Sequence, residues 1–294
     1  MRLLFIVSFT FSSFIAWPQF DNCYYIKLWR IEQHLYTEDP VINTNQLLDL
    51  ETTYSGGVGN HYYMLASLFF QNKDTLQAIN YLHKYFYSGG ELDTDIYQVK
   101  ISPDISDWYT KTITKIRNQV LIDKIDVIFD SDQAARRGSA PHDSLFFRHL
   151  AATDSVTGSL LKDIVQRYGF PRCKEIGNSR YFELYTIFLH LVSYDKLYDF
   201  FSPELKKAVY RGDIGPKYYC DIVERYNLRT KKGRLYGCYA LDDPGVDFTF
   251  DSVIDVPDID ERRISIGLPP VNELLDNSLY SFPPNYRPDY KPCY

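Results

Sequence analysis

Apolar positions along this chain recur mostly at helical spacing, and the polar positions that interrupt them are the informative ones. In "KIRNQVLIDKIDVIF" (115–129), Ile122, Ile125 and Phe129 lie three and four residues apart, which places them on one face of an α-helix. The same walk continued through "DSDQAARR" (130–137) lands on Asp132, Gln133 and Arg136, so a polar trio takes over an inward-facing stripe. Arg137 is turned from that stripe by about 100° and belongs nearer solvent. Asp132 and Arg136 have the i, i+4 spacing of an ordinary surface ion pair, but the inward phase favours burial, and a buried Arg must be paired and hydrogen-bonded.

Upstream, residues 20–118 read as helices broken at "EDPVINTN", "YSGGVGN" and "YSGGELD". In "HYYMLASLFFQNKDTLQAINYLHKYFYSGG" (61–90), Ala66 and Ala78 are small residues flanked by Tyr62, Leu65, Phe69, Leu82 and Tyr85. Two helices can cross closely only where small side chains let their backbones approach, and this segment resembles a tetratricopeptide unit. Downstream, "SVTGSLLKDIVQRYGFP" forms a helix with Leu160, Leu161, Ile164, Val165 and Tyr168 spaced three to four apart. Three more helices, punctuated by Pro203 and "RGDIGP", follow over 180–228. "LDDPGVDFTFDSVIDVPDIDERRISIGLPP" reads as extended loop, and the prolines of "SFPPNYRPDYKPCY" exclude regular helix from the end of the chain. The expected fold is mainly α: tetratricopeptide-like hairpins over 20–118, then a helical domain over 119–270 with an irregular C-terminal cover, and a Pro-rich tail over 271–294.

Composition changes this picture little. With 294 residues, 45% of them hydrophobic, the chain can bury a sizeable core. A net charge of -6 supplies no basic field for nucleic acid, and "RTKKGR" (229–234) is read as a solvated loop. The 26 Tyr and 19 Phe offer ring surface with polar handles, suited to packed helices and binding grooves alike. One Arg followed by the apolar run from Leu3 to about Ala16 reads as a secretory signal peptide over 1–19, with an uncleaved anchor as the alternative and no further membrane segment. Five scattered cysteines argue against a zinc knuckle or a redox CxxC motif and allow one or two disulfides of unreadable connectivity in an exported, periplasmic or extracellular protein.

The motifs "DQAAR" (132–136), "RYGFP" (167–171), "IGN" (176–178), "FLH" (188–190), "VER" (223–225), "YG" (236–237) and "IDERRISIGL" (259–268) occur in the order of a bacterial domain of unknown function, which this region resembles over about 118–270. That family's pattern is DQxxR, GxP, VG, QH, DR, YGTQ and VDxRRxxIGL. The resemblance marks Asp132, Gln133, Arg136, His190, Arg225, Tyr236, Asp260, Arg262 and Arg263 as its polar positions. Leu189, Glu224, and Cys238 with Tyr239 depart from it, so chemistry that needs the family's groups at those positions is not implied here.

Two functions fit these residues. The first is a binding or interaction module with a buried Asp/Gln/Arg network, taking a peptide or protein through the N-terminal helices or a small anionic ligand through its arginines. The second is a hydrolase or transferase acting on an anionic molecule or peptide, with His190 as acid/base oriented by Glu183 or Tyr194, and Arg136, Arg225 and Arg263 holding the anion. Ser144, Cys220 and Cys238 are the available nucleophiles, and reach of His190 to one of them would decide for the enzyme. No metal-ligand spacing, phosphate loop or nucleophile elbow occurs, so neither a metal nor a cofactor is implied.

Overall fold

Asp21, Asp39, Asp74, Ser102 and Asn118 each precede a helix and accept a hydrogen bond from a backbone N–H of its first turn, at 2.8–3.4 Å. They open α1 (Asn22–His34), α2 (Pro40–Tyr54), α4 (Thr75–Ser88), α5 (Pro103–Ile116) and α6 (Gln119–Arg136), with α3 (Gly59–Gln71) between α2 and α4. The remaining helices are α7 (Ser144–Tyr168), α8 (Cys173–Ile176), α9 (Asn178–Leu191), α10 (Asp195–Tyr210), α11 (Pro216–Arg229), α12 (Ile259–Ile264) and α13 (Val271–Leu274). The fold of this computed structural model is mainly α, and it is described for residues 21–35, 37–92, 102–137, 144–238, 253–274, 286 and 293. The stretch read as a signal peptide, Tyr239 and most of the stretch read as Pro-rich tail lie outside those residues.

Three expectations are corrected locally. The break at "EDPVINTN" ends at Asp39, because Pro40 occupies the first helical position of α2, where its missing N–H costs nothing. Pro203 lies inside α10 instead of ending a helix; its side is exposed, so the carbonyl that its ring leaves without a donor can turn to water. The stretch read as extended loop carries a 3-10 turn (Val256–Asp258) and α12, and α13 opens the stretch read as Pro-rich tail.

α3 and α4 form the most closely packed hairpin, with Ala66 and Ala78 both fully buried. α6 packs on α7 and α9, and α11 on α9 and α10. One buried apolar cluster runs from Tyr24 in α1 to Leu268 after α12, crossing residue 118 without interruption. The junction itself is stitched: Arg117 donates to the carbonyls of Phe86 at 3.2 Å, Gly90 at 3.0 Å and Lys174 at 2.5 Å, and Asn118 N–H to Glu175 at 2.8 Å. At the far end Cys23 is bonded to Cys293, and Arg30 pairs with Glu273 at 2.6 Å. A second disulfide joins Cys220 and Cys238, which leaves Cys173 as the free cysteine. Two disulfides are consistent with an exported protein. Among the described residues no helix is long and apolar enough to cross a membrane.

Candidate functional site

The inward stripe of α6 ends on charge. Ile122, Ile125 and Ile128 are buried, and Asp132 follows them at 0% exposure. Its carboxylate accepts from Gln133 Nε2 at 2.9 Å, His190 Nδ1 at 2.9 Å and Arg136 Nη1 at 2.8 Å. Arg136 extends the network to Asp154 on α7 through Nη2, at 2.6 Å. Such a set is what a buried carboxylate requires, since an ion taken out of water without partners costs several kcal/mol in typical cases, about 3–5 when one partner is removed. With Nδ1–H committed to Asp132, the outer nitrogen of His190, Nε2, has no hydrogen-bond partner among the described residues and is the one able to take or give a proton.

Asp154 was not among the residues expected here. Its signal was present: Asp154, Thr157, Gly158, Leu161 and Ile164 form the buried face of α7, so a polar residue stands on an apolar stripe there too. Leu160 and Tyr168, expected on that stripe, are exposed. Gly158 permits the approach of α7, since a Cβ there would meet Leu197 at 2.4 Å. Asp132 orients His190 in place of the expected Glu183 or Tyr194; Tyr194 donates to the Ala151 carbonyl at 3.0 Å, and Glu183 lines a separate cleft.

The C-terminal candidates do not join this network. Arg263, 2% exposed, donates to the carbonyls of Pro269 and Tyr236, both at 2.7 Å. Arg262 donates to Leu235 at 2.8 Å and also to Ile254 and Asp255. Asp260 accepts from Val271 N–H at 2.7 Å and from the Tyr286 hydroxyl at 2.6 Å. Glu224 accepts from the backbone N–H groups of Leu235, Tyr236 and Gly237. Burial raises the carboxyls of Asp260 and Glu224 above their ordinary range. These bonds run mainly to main chain, which makes the second cluster a clasp that ties residues 235–237 to residues 254–271. Arg225 is exposed on α11, pointing away from its buried neighbour Glu224, so its expected place in a buried network is not realised.

The candidate nucleophiles also stay apart from His190. Cys220 and Cys238 are bonded to each other, and Ser144 is exposed in the first turn of α7.

A concave site lies elsewhere, between α1, the α3–α4 hairpin, the start of α9, the turn before α11 and residues 267–269. Its volume is about 1060 Å³. Tyr25, Trp29, Tyr85, Phe182, Tyr185 and Tyr218 are among its walls. Phe182 and Tyr185 have ring centroids 5.8 Å apart, and Tyr185 and Tyr218 meet edge to face at 4.6 Å. Phe182 is 57% and Tyr218 39% exposed, so the ladder of rings is open to an occupant. Gly267, the glycine of "SIGL", is required where it stands: its φ is +84°, and a Cβ would press on Tyr25 and Pro216 at 3.0 and 3.1 Å. No protein-family model, curated protein or solved structure matches this chain.

Proposed function

We propose that this is an exported binding module that seats a peptide or protein segment in the cleft between its N-terminal hairpins and its C-terminal helices. The aromatic lining carries the reading: half-open rings at a concave site supply contact area at low entropic cost, the usual composition of a recognition surface. The tetratricopeptide-like pattern of 61–90 supports an interaction role, and the resemblance of 118–270 to a bacterial domain of unknown function specifies no reaction. Peptides selected from an unbiased display library on the mature chain are expected to lose binding in Phe182→Ala and Tyr218→Ala. Both side chains are exposed enough for the variants to stay folded, and equal binding by wild type and both variants would refute the reading.

The buried Asp132–His190 pair favours a second reading, acid/base catalysis from the outer nitrogen of His190. Its weakness is chemical: the cysteines that could have served as nucleophiles are bonded to each other. Under this reading His190→Gln abolishes turnover of a substrate that wild type converts, whereas under the binding reading it leaves peptide affinity unchanged.

A further inference from the structure

The charged side chains of the cleft differ in how well they are answered. Lys217 is bonded to Asp221 at 3.0 Å, and Asp213 to Arg211 at 2.7 Å. Glu32, Glu91 and Glu183 also line the cleft, and among the described residues none of the three is in an ion pair. Among the described residues, Glu32 accepts from the amide of Asn60 at 3.3 Å and Glu91 from Ser179. Glu183 is the least satisfied, with Oε2 buried and without a hydrogen-bond partner. Arg180, three residues before Glu183 on α9, is committed to Asp126 at 3.0 Å. Burial is the main cause that raises the Glu183 carboxyl above its ordinary range; Arg180 opposes it, and Asp126, Asp130 and Glu91 add to it. Tyr181, 6% exposed, lines the same cleft, and its hydroxyl has no hydrogen-bond partner among the described residues. A native protein seldom leaves buried polar atoms unanswered unless something else answers them.

We propose that the cleft takes an extended basic peptide segment, its lysine or arginine side chains set against Glu183, Glu91 and Glu32 and their stems laid on the rings of Phe182, Tyr185 and Tyr218. This inference rests on the reading of the cleft as the binding site and names the chemistry of its occupant. Cations suit both halves of the lining, because carboxylates attract them through charge and aromatic faces through their quadrupole. The three carboxylates come from α1, the turn after α4 and α9, and among the described residues no three such side chains are grouped closely enough to hold one metal ion, whereas a chain carrying several cations can answer them separately. The volume also stands at the top of the range of about 300–1,000 Å³ usual for small-molecule pockets. The same carboxylates repel phosphate, which sets nucleic acid aside as an occupant.

The test uses the full disulfide-bonded chain and three fluorescein-labelled peptides of one scaffold, in which serine alternates with lysine, glutamine or glutamate. Fluorescence anisotropy is expected to show binding of the lysine peptide over the other two, with affinity falling as salt is raised. Glu183→Gln should weaken it about tenfold, as removing one partner of a partly desolvated charge pair does. Asp104→Asn, exposed and outside the cleft, removes the same unit of charge and should have little effect. A matching urea transition for wild type and Glu183→Gln would show that the fold is intact. Equal affinities for the lysine and glutamine peptides, or equal effects of the two substitutions, would overturn the cationic occupant. Binding that remained sensitive to Phe182→Ala would then leave the cleft itself standing. Failure of all three peptides and of the display-selected peptides to bind would remove both readings together.

Discussion

Arg136 and Arg137 are adjacent and have opposite environments. Arg136 bridges Asp132 and Asp154, whereas Arg137 is exposed. Arg136→Ala takes the guanidinium from a fully buried carboxylate, leaving it Gln133 and His190, and is expected to cost about 3 kcal/mol, while Arg137→Ala should stay within about 0.5 kcal/mol. Chemical denaturation of the two variants side by side checks this, and equal small losses would mean that the network adds nothing to stability. His61 is the second informative residue, with none of its surface exposed. Its Nε2–H donates to the Leu47 carbonyl at 3.0 Å, and its Nδ1 accepts from the Tyr24 hydroxyl at 2.9 Å, so the neutral ring is fully satisfied. Burial lowers its pKa to about 4. The unfolded value is near 6.5, so as pH falls the unfolded chain takes up the proton first. The contribution is complete above pH ~6.5, is lost as pH drops toward ~4, and changes no further below that, a total of about 3 kcal/mol. Unfolding free energies measured across that window should show this slope in wild type relative to His61→Gln, and parallel curves would contradict it.

At the scale of elements, the α3–α4 hairpin depends on two alanines. Ala66 and Ala78 are fully buried in the helix crossing, so Ala66→Leu or Ala78→Leu must push the helices apart or force strained rotamers, at about 1–3 kcal/mol. Leu76, 78% exposed on the same hairpin, should tolerate Leu76→Ala within about 0.5 kcal/mol. Urea midpoints of the three variants test the crossing directly. α6 and α7 show the converse use of a buried face. Each continues an apolar stripe into one carboxylate, Asp132 or Asp154, and a single guanidinium from Arg136 answers both.

For the whole molecule, the expected boundary near residue 118 is a change in motif content, yet the buried core crosses it. Arg117 and Asn118 bond to both sides, and the Cys23–Cys293 disulfide closes the two ends of the described chain on each other over a separation of 270 residues. A fragment spanning 117–284 would expose the apolar residues that pack against α1, α3 and α4 and lose the disulfide and the Arg30–Glu273 pair. It is therefore expected to lack a cooperative thermal transition by circular dichroism, while the full oxidised chain has one. A cooperative fragment would establish two independent folding units instead.

What the sequence determined alone is what depends on neighbours along the chain. Apolar spacing wrote the helices, Asp, Ser, Asn and Pro wrote their starts, and the inward phase of Asp132, Gln133 and Arg136 was readable because a helix repeats every 3.6 residues. The same logic marks Asp154, a polar residue on the buried stripe of α7. Partners across the fold were not legible. Spacing along the chain could not say that Asp132 holds His190 at a separation of 58 residues, that Cys220 pairs with Cys238, or that Arg262 and Arg263 clasp main chain while Arg225 faces water. The cleft is the clearest case. Glu32, Glu91 and Glu183 share no motif or period, and only the packing of α1, the turn after α4 and α9 brings them to one cleft, because contacts between distant segments are chosen by how whole faces fit.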